Sequence, residues 1–540
     1  MTGDADVLIE GGIIVDGTGA PGFPGSVAVV DGRLRVLPGD TAGSGGPARS
    51  IRAHRRIDAT GLVVAPGFID LHSHGGLAML ADPRHEPKVR QGVTTELIGV
   101  DGNAYAPFPS REDLADFVVL NAGLDGRPDL AYDWSTVAGY LDRYDRRVAV
   151  NVAYVVGNSP LRIASVGWDE VEADRAAMAD QRARLREALE DGAFGLSTGL
   201  DYPPGSYAST AELAELAEEA ARLGGIYHSH VRYSLGDGFL DPFREAIEIG
   251  RRSGAPSHIT HFYHRPTFPG PPEAMLALVD DARAEGLDVT FDLYPYEWAS
   301  TRLLIMLPQW IQAGGLGPLR ERLADRAVRT RVRAESAVLG RRFAGDRSWD
   351  EVRLGAFTRP EHLQWEGRTL GEYLAATGTD PVDGICDLLL AEDLRVNQVT
   401  PGPHRDGIRA FIRHPQAMIG TDGVMVGAKP APRTYGTYPR ILGELVRDER
   451  VLGLEEAVHK MTGASAARLG LRGRGVLADG MAADLVVFDP ARIRTPCTYD
   501  DPCRYPEGIP YVLVNGVPVV DGGRHTGATP GRALRRGRAD

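Results

Sequence analysis

The stretch from Pro66 to Gly76 constrains the fold of this chain most strongly, because it ends an apolar run with two histidines one residue apart. Side chains at positions i and i+2 of a strand face the same way, so His72 and His74 are predicted to lie side by side at a strand's carboxyl end. Two imidazoles held in this way, with glycines that let ligands approach, suit a divalent metal ion such as zinc. In a β/α barrel, the carboxyl ends of the strands form the active face.

The order of predicted elements favours one large barrel with a smaller β unit. Strand-like runs alternate with helical stretches from about residue 66 to 470, which predicts an α/β fold, a (β/α)8 TIM-like barrel. Short strands broken by turns occupy residues 1–65 and return within residues 471–540, so both chain ends are predicted to build one small β-sandwich. Residues from about 302 to 412 interrupt the rhythm with Arg-rich helical sequence and are predicted to be an inserted lid.

Composition limits the partners and the compartment. The formal net charge of −13 argues against nucleic acid or an anionic membrane as the main partner, which leaves a small molecule as the expected ligand. Three cysteines are too few for a disulfide framework, and no uncharged stretch approaches membrane-spanning length. We therefore expect a cytoplasmic protein that is not bound to a membrane, and we leave open whether it forms a homo-oligomer.

Four further candidate metal ligands fall at the ends of other strand-like runs: Asp101, His230, His261 and Asp422. Imidazoles and carboxylates that meet at the ends of successive barrel strands need a metal ion or one another, so these residues are predicted to converge with His72 and His74. A divalent ion lowers the pKa of a bound water and polarises a carbonyl, while a nearby carboxylate carries the proton to the leaving nitrogen. Asp422 is predicted to be that carboxylate, and Asp101 is placed to bridge two ions.

Several motifs follow one another along the chain, at residues 66–76, 92–95, 196–202, 294–296, 419–423, 432–436, 461–463 and 483–485. In their number and order they resemble the amidohydrolase superfamily and, within it, the N-acyl-D-amino-acid deacylase (D-aminoacylase) family. The resemblance runs from about residue 6 to 535. It implies a metal-dependent hydrolase that cleaves the amide bond of an N-acylated amino acid to a carboxylate and a free amino acid.

Transferred residue by residue, the resemblance implies metal ligation by His72, His74, His230, His261 and Asp422, with Asp422 also the general base. Where D-aminoacylases have a metal-binding cysteine, this chain has Asp101, with Glu96 as a weaker competitor earlier in the strand. A thiolate favours one tightly held zinc, whereas a carboxylate also bridges two ions or admits manganese or cobalt. Zinc is therefore the expected cofactor, as one or two ions, with manganese and cobalt as alternatives.

The resemblance also implies substrate contacts by Tyr202, Tyr294, Ser300 and Arg433. A guanidinium matches a carboxylate with two parallel hydrogen bonds, so Arg433 is expected to hold the carboxylate of the substrate. At two positions this chain departs from the family: Tyr263 replaces a lysine and Ala431 replaces a histidine. We also expect Tyr263 to contact the substrate. These departures leave Nε-acyl-lysine, an N-acyl-L-amino acid and a cyclic amide as alternative substrates. An inactive barrel that serves as a binding protein is the least favoured reading.

Overall fold

The N-terminal segment of the chain folds into strands. The computed structural model of this protein describes residues 4–39, 47–265, 268–343 and 349–538, so residues 1–3, 40–46 and 539–540 of the predicted terminal unit, residues 266–267 of the predicted barrel and residues 344–348 of the predicted lid lie outside it. The first strands are β1 (Ala5–Ile14), β2 (Phe23–Val30), β3 (Arg33–Pro38), β4 (Ala53–Asp58) and β5 (Val63–Pro66). Asp31 and Gly32 join β2 to β3 with φ angles of 52° and 72°, the conformation that a tight two-residue hairpin requires.

Parallel strands and helices then alternate. The strands are β6 (Phe68–Asp70), β7 (Val93–Ile98), β8 (Asn151–Tyr154), β9 (Val156–Gly157), β10 (Gly195–Gly199), β11 (Ile226–His230), β12 (Ser257–Ile259) and β13 (Val289–Leu293). The helices are α1 (Gly76–Ala81), α2 (Glu86–Val89), α3 (Arg111–Leu120), α4 (Ala122–Asp125), α5 (Val137–Leu141), α6 (Asn158–Ser165), α7 (Arg175–Glu190), α8 (Thr210–Arg222), α9 (Asp241–Ser253) and α10 (Pro272–Ala284). The strands are buried on both faces because helices cover the outside of the sheet.

The segment after β13 is a subdomain with its own core. It contains β14 (Trp298–Arg302), α11 (Leu316–Ala324), α12 (Arg326–Phe343), β15 (Arg353–Gly355), α13 (Leu370–Thr377), α14 (Pro381–Ala391) and β16 (Asn397–Pro401). The three strands pair antiparallel in the order β14-β16-β15, which the helical prediction for this segment missed. A separate apolar cluster fills the subdomain and includes Val119 and Leu120 of α3, which attach it to the barrel.

The chain returns to the barrel after β16, earlier than the predicted end of the insertion at residue 412. The elements that follow are α15 (Arg405–Ile412), β17 (Ala417–Ile419), α16 (Arg433–Arg440), a π-helical segment (Ile441–Asp448), α17 (Leu454–Met461) and α18 (Gly463–Leu469). Helix α15 packs against β13 and β17, so it belongs to the barrel wall. Short 3₁₀ helices lie at Pro47–Ser50, Gly205–Tyr207, Leu303–Met306, Gln309–Gln312, Trp349–Glu351 and Leu363–Trp365.

Both chain ends meet in one nine-stranded sheet. The C-terminal strands are β18 (Leu485–Phe488), β19 (Tyr511–Val514), β20 (Val517–Asp521) and β21 (Arg524–His525). The order is β21-β20-β19-β18-β5-β1-β2-β3, with β4 also paired to β1. The antiparallel pairing of β5 with β18 joins the two ends, so the prediction that both ends of the chain build one β unit is confirmed, although its strands are joined in one sheet and not in the two sheets of the predicted β-sandwich.

The barrel closes at the point where the predicted ligands lie. Parallel pairing runs in the orders β17-β13-β12-β11-β10-β9 and β6-β7-β8, and a parallel bridge between Ser73 and Gly423 connects β17 back to β6. The backbone N–H of Asp422 also donates to the carbonyl of His72 over 2.8 Å. The predicted TIM-like barrel is thus confirmed. Among the residues that the structure describes, none of the helices has the length and apolar character that a membrane span requires.

Candidate metal centre

The six predicted metal ligands converge on one carboxylate oxygen at the mouth of the barrel. Asp101 Oδ2 lies 3.3–3.6 Å from four ring nitrogens: His72 Nε2, His74 Nε2, His230 Nδ1 and His261 Nε2. Two ligand atoms of a tetrahedral zinc site, each about 2.0–2.2 Å from the ion, lie about 3.4 Å apart. The spacing of these atoms therefore matches a coordination sphere, although most are too far apart for hydrogen bonds.

Asp422 completes the centre from the side of β17. Its Oδ1 lies 3.6 Å from His72 Nε2 and 3.4 Å from His74 Nε2. Two groups of atoms that include predicted ligands are compact enough to hold an ion, one formed by His72, His74 and Asp422, the other by His72, Asp101 and His261. The arrangement has the donors of two adjoining sites, with Asp101 between them.

The donor atoms fit a divalent ion better than they fit one another. All six residues are at most 5 % exposed, yet neither ring nitrogen of His72 has a hydrogen-bond partner. His230 Nδ1 and His261 Nε2 lie 2.8 Å apart. Only one of these two nitrogens can carry a proton between them, so one donates and the other accepts. Buried polar atoms left in this state are costly unless something binds them, and a nitrogen and oxygen donor set of this kind is suited to zinc.

Three of the candidate ligands have strained backbones. Asp101, His261 and Asp422 have φ angles of 55°, 30° and 47°, in the left-handed region that side chains with a Cβ rarely adopt. Each such residue costs of order 1–3 kcal/mol, and strain of this kind collects at functional sites. All three follow the end of a strand, and the turn of the backbone directs their side chains toward the barrel axis.

The far side of each histidine ring is held by a residue that the sequence analysis did not select. His74 Nδ1 donates to Asp125 over 2.7 Å, His230 Nε2 donates to Asp201 over 3.1 Å, and His261 Nδ1 lies 3.1 Å from the Tyr233 hydroxyl. His72 Nδ1 lies 3.7 Å from Asp292 Oδ2. Such partners fix the tautomer and direct the other ring nitrogen toward the ion. A carboxylate within a buried apolar run, as at Asp292, was the signal available in the sequence.

The carboxylates set the charge of the histidines. Burial lowers the pKa of His72, but Asp101 and Asp422 outweigh burial and raise it to about 10. The pKa of Asp422 is raised by burial and lowered more strongly by Arg433 and His72, to about 2. Without metal, His72 is therefore protonated next to ionised Asp422, whereas burial lowers the pKa of His261. Because metal ligation requires neutral imidazoles, we expect metal binding to release protons.

Asp70 of β6 and Glu96 of β7 are both paired with other buried polar groups. Asp70 Oδ1 accepts a hydrogen bond from the backbone N–H of His72 over 3.1 Å, while Lys88 donates to Asp70 Oδ2 over 2.6 Å. Glu96, the competitor of Asp101, accepts from His85 and Ser73 instead. The structure thus brings Asp101 rather than Glu96 to the histidines.

Arg433 contacts the predicted general base directly. Its NH2 lies 2.8 Å from Asp422 Oδ2, and its Nε donates to the Asp422 carbonyl over 2.6 Å. NH1 and NH2 also donate to the carbonyls of Trp298 and Ser300, each over 3.2 Å. Of the five N–H donors of a guanidinium, these four contacts leave one for a ligand.

The predicted substrate contacts do not all lie on one wall. The Tyr263 hydroxyl contacts that of Tyr294 and lies 3.5 Å from Asp422 Oδ2, and Arg433 lies 4.3 Å above the Tyr294 ring. The Tyr202 ring packs against His230, with the two ring centroids 5.0 Å apart. The Ser300 hydroxyl donates to Asn397 over 3.0 Å, while the Ser300 carbonyl accepts from Arg433. Tyr263, Tyr294 and Arg433 therefore form a group beside Asp422, and only the main chain of Ser300 contacts that group.

Comparison with known proteins identifies the fold and the chemistry. A model of the amidohydrolase family matches residues 55–520. The chain belongs to the amidohydrolase family. The N-acyl-D-glutamate deacylase of Alcaligenes xylosoxydans xylosoxydans is 34% identical over 98% of this chain and 96% of its own length, and the D-aminoacylase of the same organism is 35% identical over 98% of both.

A solved structure resembles this amidohydrolase over its whole length. The N-acyl-D-glutamate deacylase of Bordetella bronchiseptica, in complex with zinc and a phosphonate inhibitor that mimics the tetrahedral reaction intermediate, superimposes with a TM-score of 0.82. The two chains are 32% identical, and the match covers 99% of this chain and 100% of the other. The prediction of a metal-dependent enzyme is confirmed, and the alternative of an inactive barrel is set aside. The roles of the individual site residues stay predictions.

Proposed function

We propose that this amidohydrolase uses zinc to hydrolyse the amide bond of N-acyl-D-amino acids. The observation that carries the proposal is the convergence of four histidine nitrogens on Asp101 Oδ2 at the mouth of the barrel, two of which also lie 3.4–3.6 Å from Asp422 Oδ1. The choice of substrate is supported by the relatives, which are named for the N-acyl-D-glutamate and D-amino-acid reactions. A small N-acyl amino acid also agrees with the predicted class of ligand.

In this proposal His72, His74 and Asp422 hold one ion, His230 and His261 hold a second, and Asp101 is shared. When bound, the ions lower the pKa of a water molecule and polarise the acyl carbonyl of the substrate. Asp422 would take a proton from the water that attacks the acyl carbon and would deliver it to the nitrogen as the C–N bond breaks. Its Oδ1 faces the histidines, whereas its Oδ2 is paired with Arg433.

The substrate is proposed to lie against the tyrosines that surround the centre. Tyr202, Tyr263, Tyr294, Ser300 and Arg433 are the contacts carried over from the family, and the free N–H of Arg433 is directed to the substrate's carboxylate. Burial of the centre excludes bulk water, which strengthens each of these polar contacts. A cytoplasmic location stays a prediction from the sequence, and whether the protein forms a homo-oligomer stays open.

Amine release from a matched panel of substrates tests the proposal. With zinc, manganese or cobalt supplied, we expect turnover of Nα-acetyl and long-chain Nα-acyl D-amino acids and at least tenfold less turnover of the L forms and of Nε-acyl-lysine. Turnover confined to L or Nε-acyl substrates would keep the metal chemistry and overturn the choice of substrate. A protein that binds no metal and cleaves none of these amides would overturn the proposed function as a whole.

Arg433→Lys separates contact with the substrate from support of Asp422. If the guanidinium binds the carboxylate, kcat/KM should fall about 10–100-fold more for an Nα-acyl amino acid than for the matching N-acyl amine, which lacks the carboxylate. Arg175→Lys, exposed at the start of α7, is the matched control. Equal losses for the two substrates would show that Arg433 acts only through Asp422.

A further inference from the structure

A polar layer lies one level below the metal ligands inside the barrel. His228, His258 and Asp292 occupy the neighbouring strands β11, β12 and β13, and all three are completely buried. Branched apolar side chains ordinarily fill this part of a β/α barrel. Because burial of imidazoles and a carboxylate costs free energy, their presence here calls for a compensating role.

Asp292 reaches both halves of the metal centre. Its Oδ1 accepts a hydrogen bond from the backbone N–H of His261 over 2.7 Å, and its Oδ2 lies 3.7 Å from His72 Nδ1. His72 forms one compact group with His74 and Asp422 and a second with Asp101 and His261, and His261 also faces His230; in the proposed function His72 is assigned to the first ion and His261 to the second. One side chain thus contacts one ligand of each proposed ion.

The position of Asp292 is itself fixed. His258 Nε2 donates to Asp292 Oδ2 over 3.1 Å, and His258 Nδ1 accepts from Thr290 Oγ1 over 2.8 Å. With both nitrogens engaged, the ring has one tautomer, a donor toward Asp292. A Cβ at Gly420 would lie 2.5 Å from His72 Cβ and 3.0 Å from Asp292 Cγ, so glycine there allows Asp292 and His72 to approach.

His228 contacts the main chain next to the same ligand. Its Nε2 lies 3.1 Å from the carbonyl oxygen of Leu71, the residue before His72. The His228 and His258 rings stack with their centroids 5.1 Å apart. The layer therefore restrains both the main chain that precedes His72 and the carboxylate beside the His72 ring.

We propose that Asp292 is a positioning residue that couples the two halves of the metal centre, with His258 holding its carboxylate in place. The inference rests on the proposed function, because it concerns how the ligands of that centre are oriented. Partners behind metal-ligating histidines commonly contribute 10–100-fold to metal affinity. Here one carboxylate acts on a ligand ring in one half and on the main chain of a ligand in the other.

Asp292→Asn tests the proposal with little change of shape. The amide oxygen still accepts from the backbone of His261, but the amide nitrogen points an N–H at the N–H of His258. In titrations of the metal-free protein with zinc against a chromophoric chelator, we expect both zinc dissociation constants to rise about 10–100-fold. The melting temperature of the metal-free variant checks that it is folded. Asp281→Asn, exposed on α10, is the matched control.

Two variants of His258 test the same role of Asp292 while the Asp292 side chain stays unchanged. Glutamine can still donate from its amide to Asp292, so His258→Gln should retain zinc affinity near that of the wild type. Leucine cannot donate a hydrogen bond, so His258→Leu should raise both zinc dissociation constants, as Asp292→Asn does. If Asp292→Asn does not fold, this pair of variants decides the question.

Unchanged zinc affinity in folded Asp292→Asn, or a loss confined to one of the two ions, would overturn the coupling role and leave the proposed function standing. A third zinc equivalent that disappears in His258→Leu would also overturn it, because the layer would then be a metal site itself. Failure of the wild-type protein to bind zinc would overturn the proposed function together with this inference.

Discussion

Asp422→Asn is expected to lower kcat by about 10²–10⁴-fold, the contribution of a positioned general acid or base. Asparagine keeps the shape of the side chain, and its amide oxygen still accepts a hydrogen bond from Arg433, but it cannot take up a proton. The pKa of Asp422 is lowered to about 2 by Arg433 and His72 against the effect of burial, so the native carboxylate is ionised when it faces the histidines. Steady-state kinetics on an Nα-acetyl-D-amino acid, together with zinc content, measures the effect.

Asp281→Asn, which makes the same chemical change on the exposed side of α10, should leave kcat unchanged. A variant at Asp422 that keeps one-tenth or more of the wild-type kcat, with its zinc retained, would exclude this residue as the proton carrier. Loss of zinc in parallel with activity would instead assign Asp422 mainly to metal binding.

Asp101→Asn is expected to remove at least one of two bound zinc ions and to lower activity by a similarly large factor. The change removes the negative charge that lies 3.3–3.6 Å from four histidine nitrogens. A neutral amide offers one oxygen but no charge to offset that of two divalent ions, so the ion held by His230 and His261 should be released first. Zinc content after dialysis, measured by elemental analysis, reports the loss.

Asp101→Cys is the matched variant, because it supplies the thiolate that the D-aminoacylase family has at this position. It should keep one tightly bound zinc and lose activity with manganese, since thiolates favour softer ions than carboxylates do. Two retained zinc ions in Asp101→Asn would contradict a bridging role for Asp101.

The face of the barrel on which the candidate metal ligands lie could be predicted from the sequence, but the residues that orient their side chains could not. Alternation along the strand placed His72 beside His74, and the β/α order placed Asp101 and Asp422 at the same face of the barrel. The partner behind His72 is Asp292, which lies seven strands further along the chain and becomes a neighbour only when the barrel closes. The residues next to His72 and Asp292 in the sequence do not indicate that these two side chains come close together in the folded barrel.

The helices of the barrel could be predicted from local sequence, whereas the small sheet of the insertion could not. Apolar residues recur at three- and four-residue spacing along α8, α9 and α10, so the helical stretches that alternate with the strands could be predicted from the sequence. The strands β14, β15 and β16 contain only three to five residues each. Their pairing, such as Ser300 with Val399, joins segments far apart in sequence, so periodicity alone could not reveal it.

The pairing of β5 with β18 also determines when this protein can finish folding. The apolar edge of β5 receives its partner about 420 residues later in the chain. At about 5–20 residues per second, the ribosome takes about 20–80 s to synthesise that interval. Throughout this time the nascent chain exposes an unpaired edge that is prone to aggregation. Completion of the sheet therefore belongs to the last moments of synthesis or to the time after release, and the first half of the chain depends on protection until then.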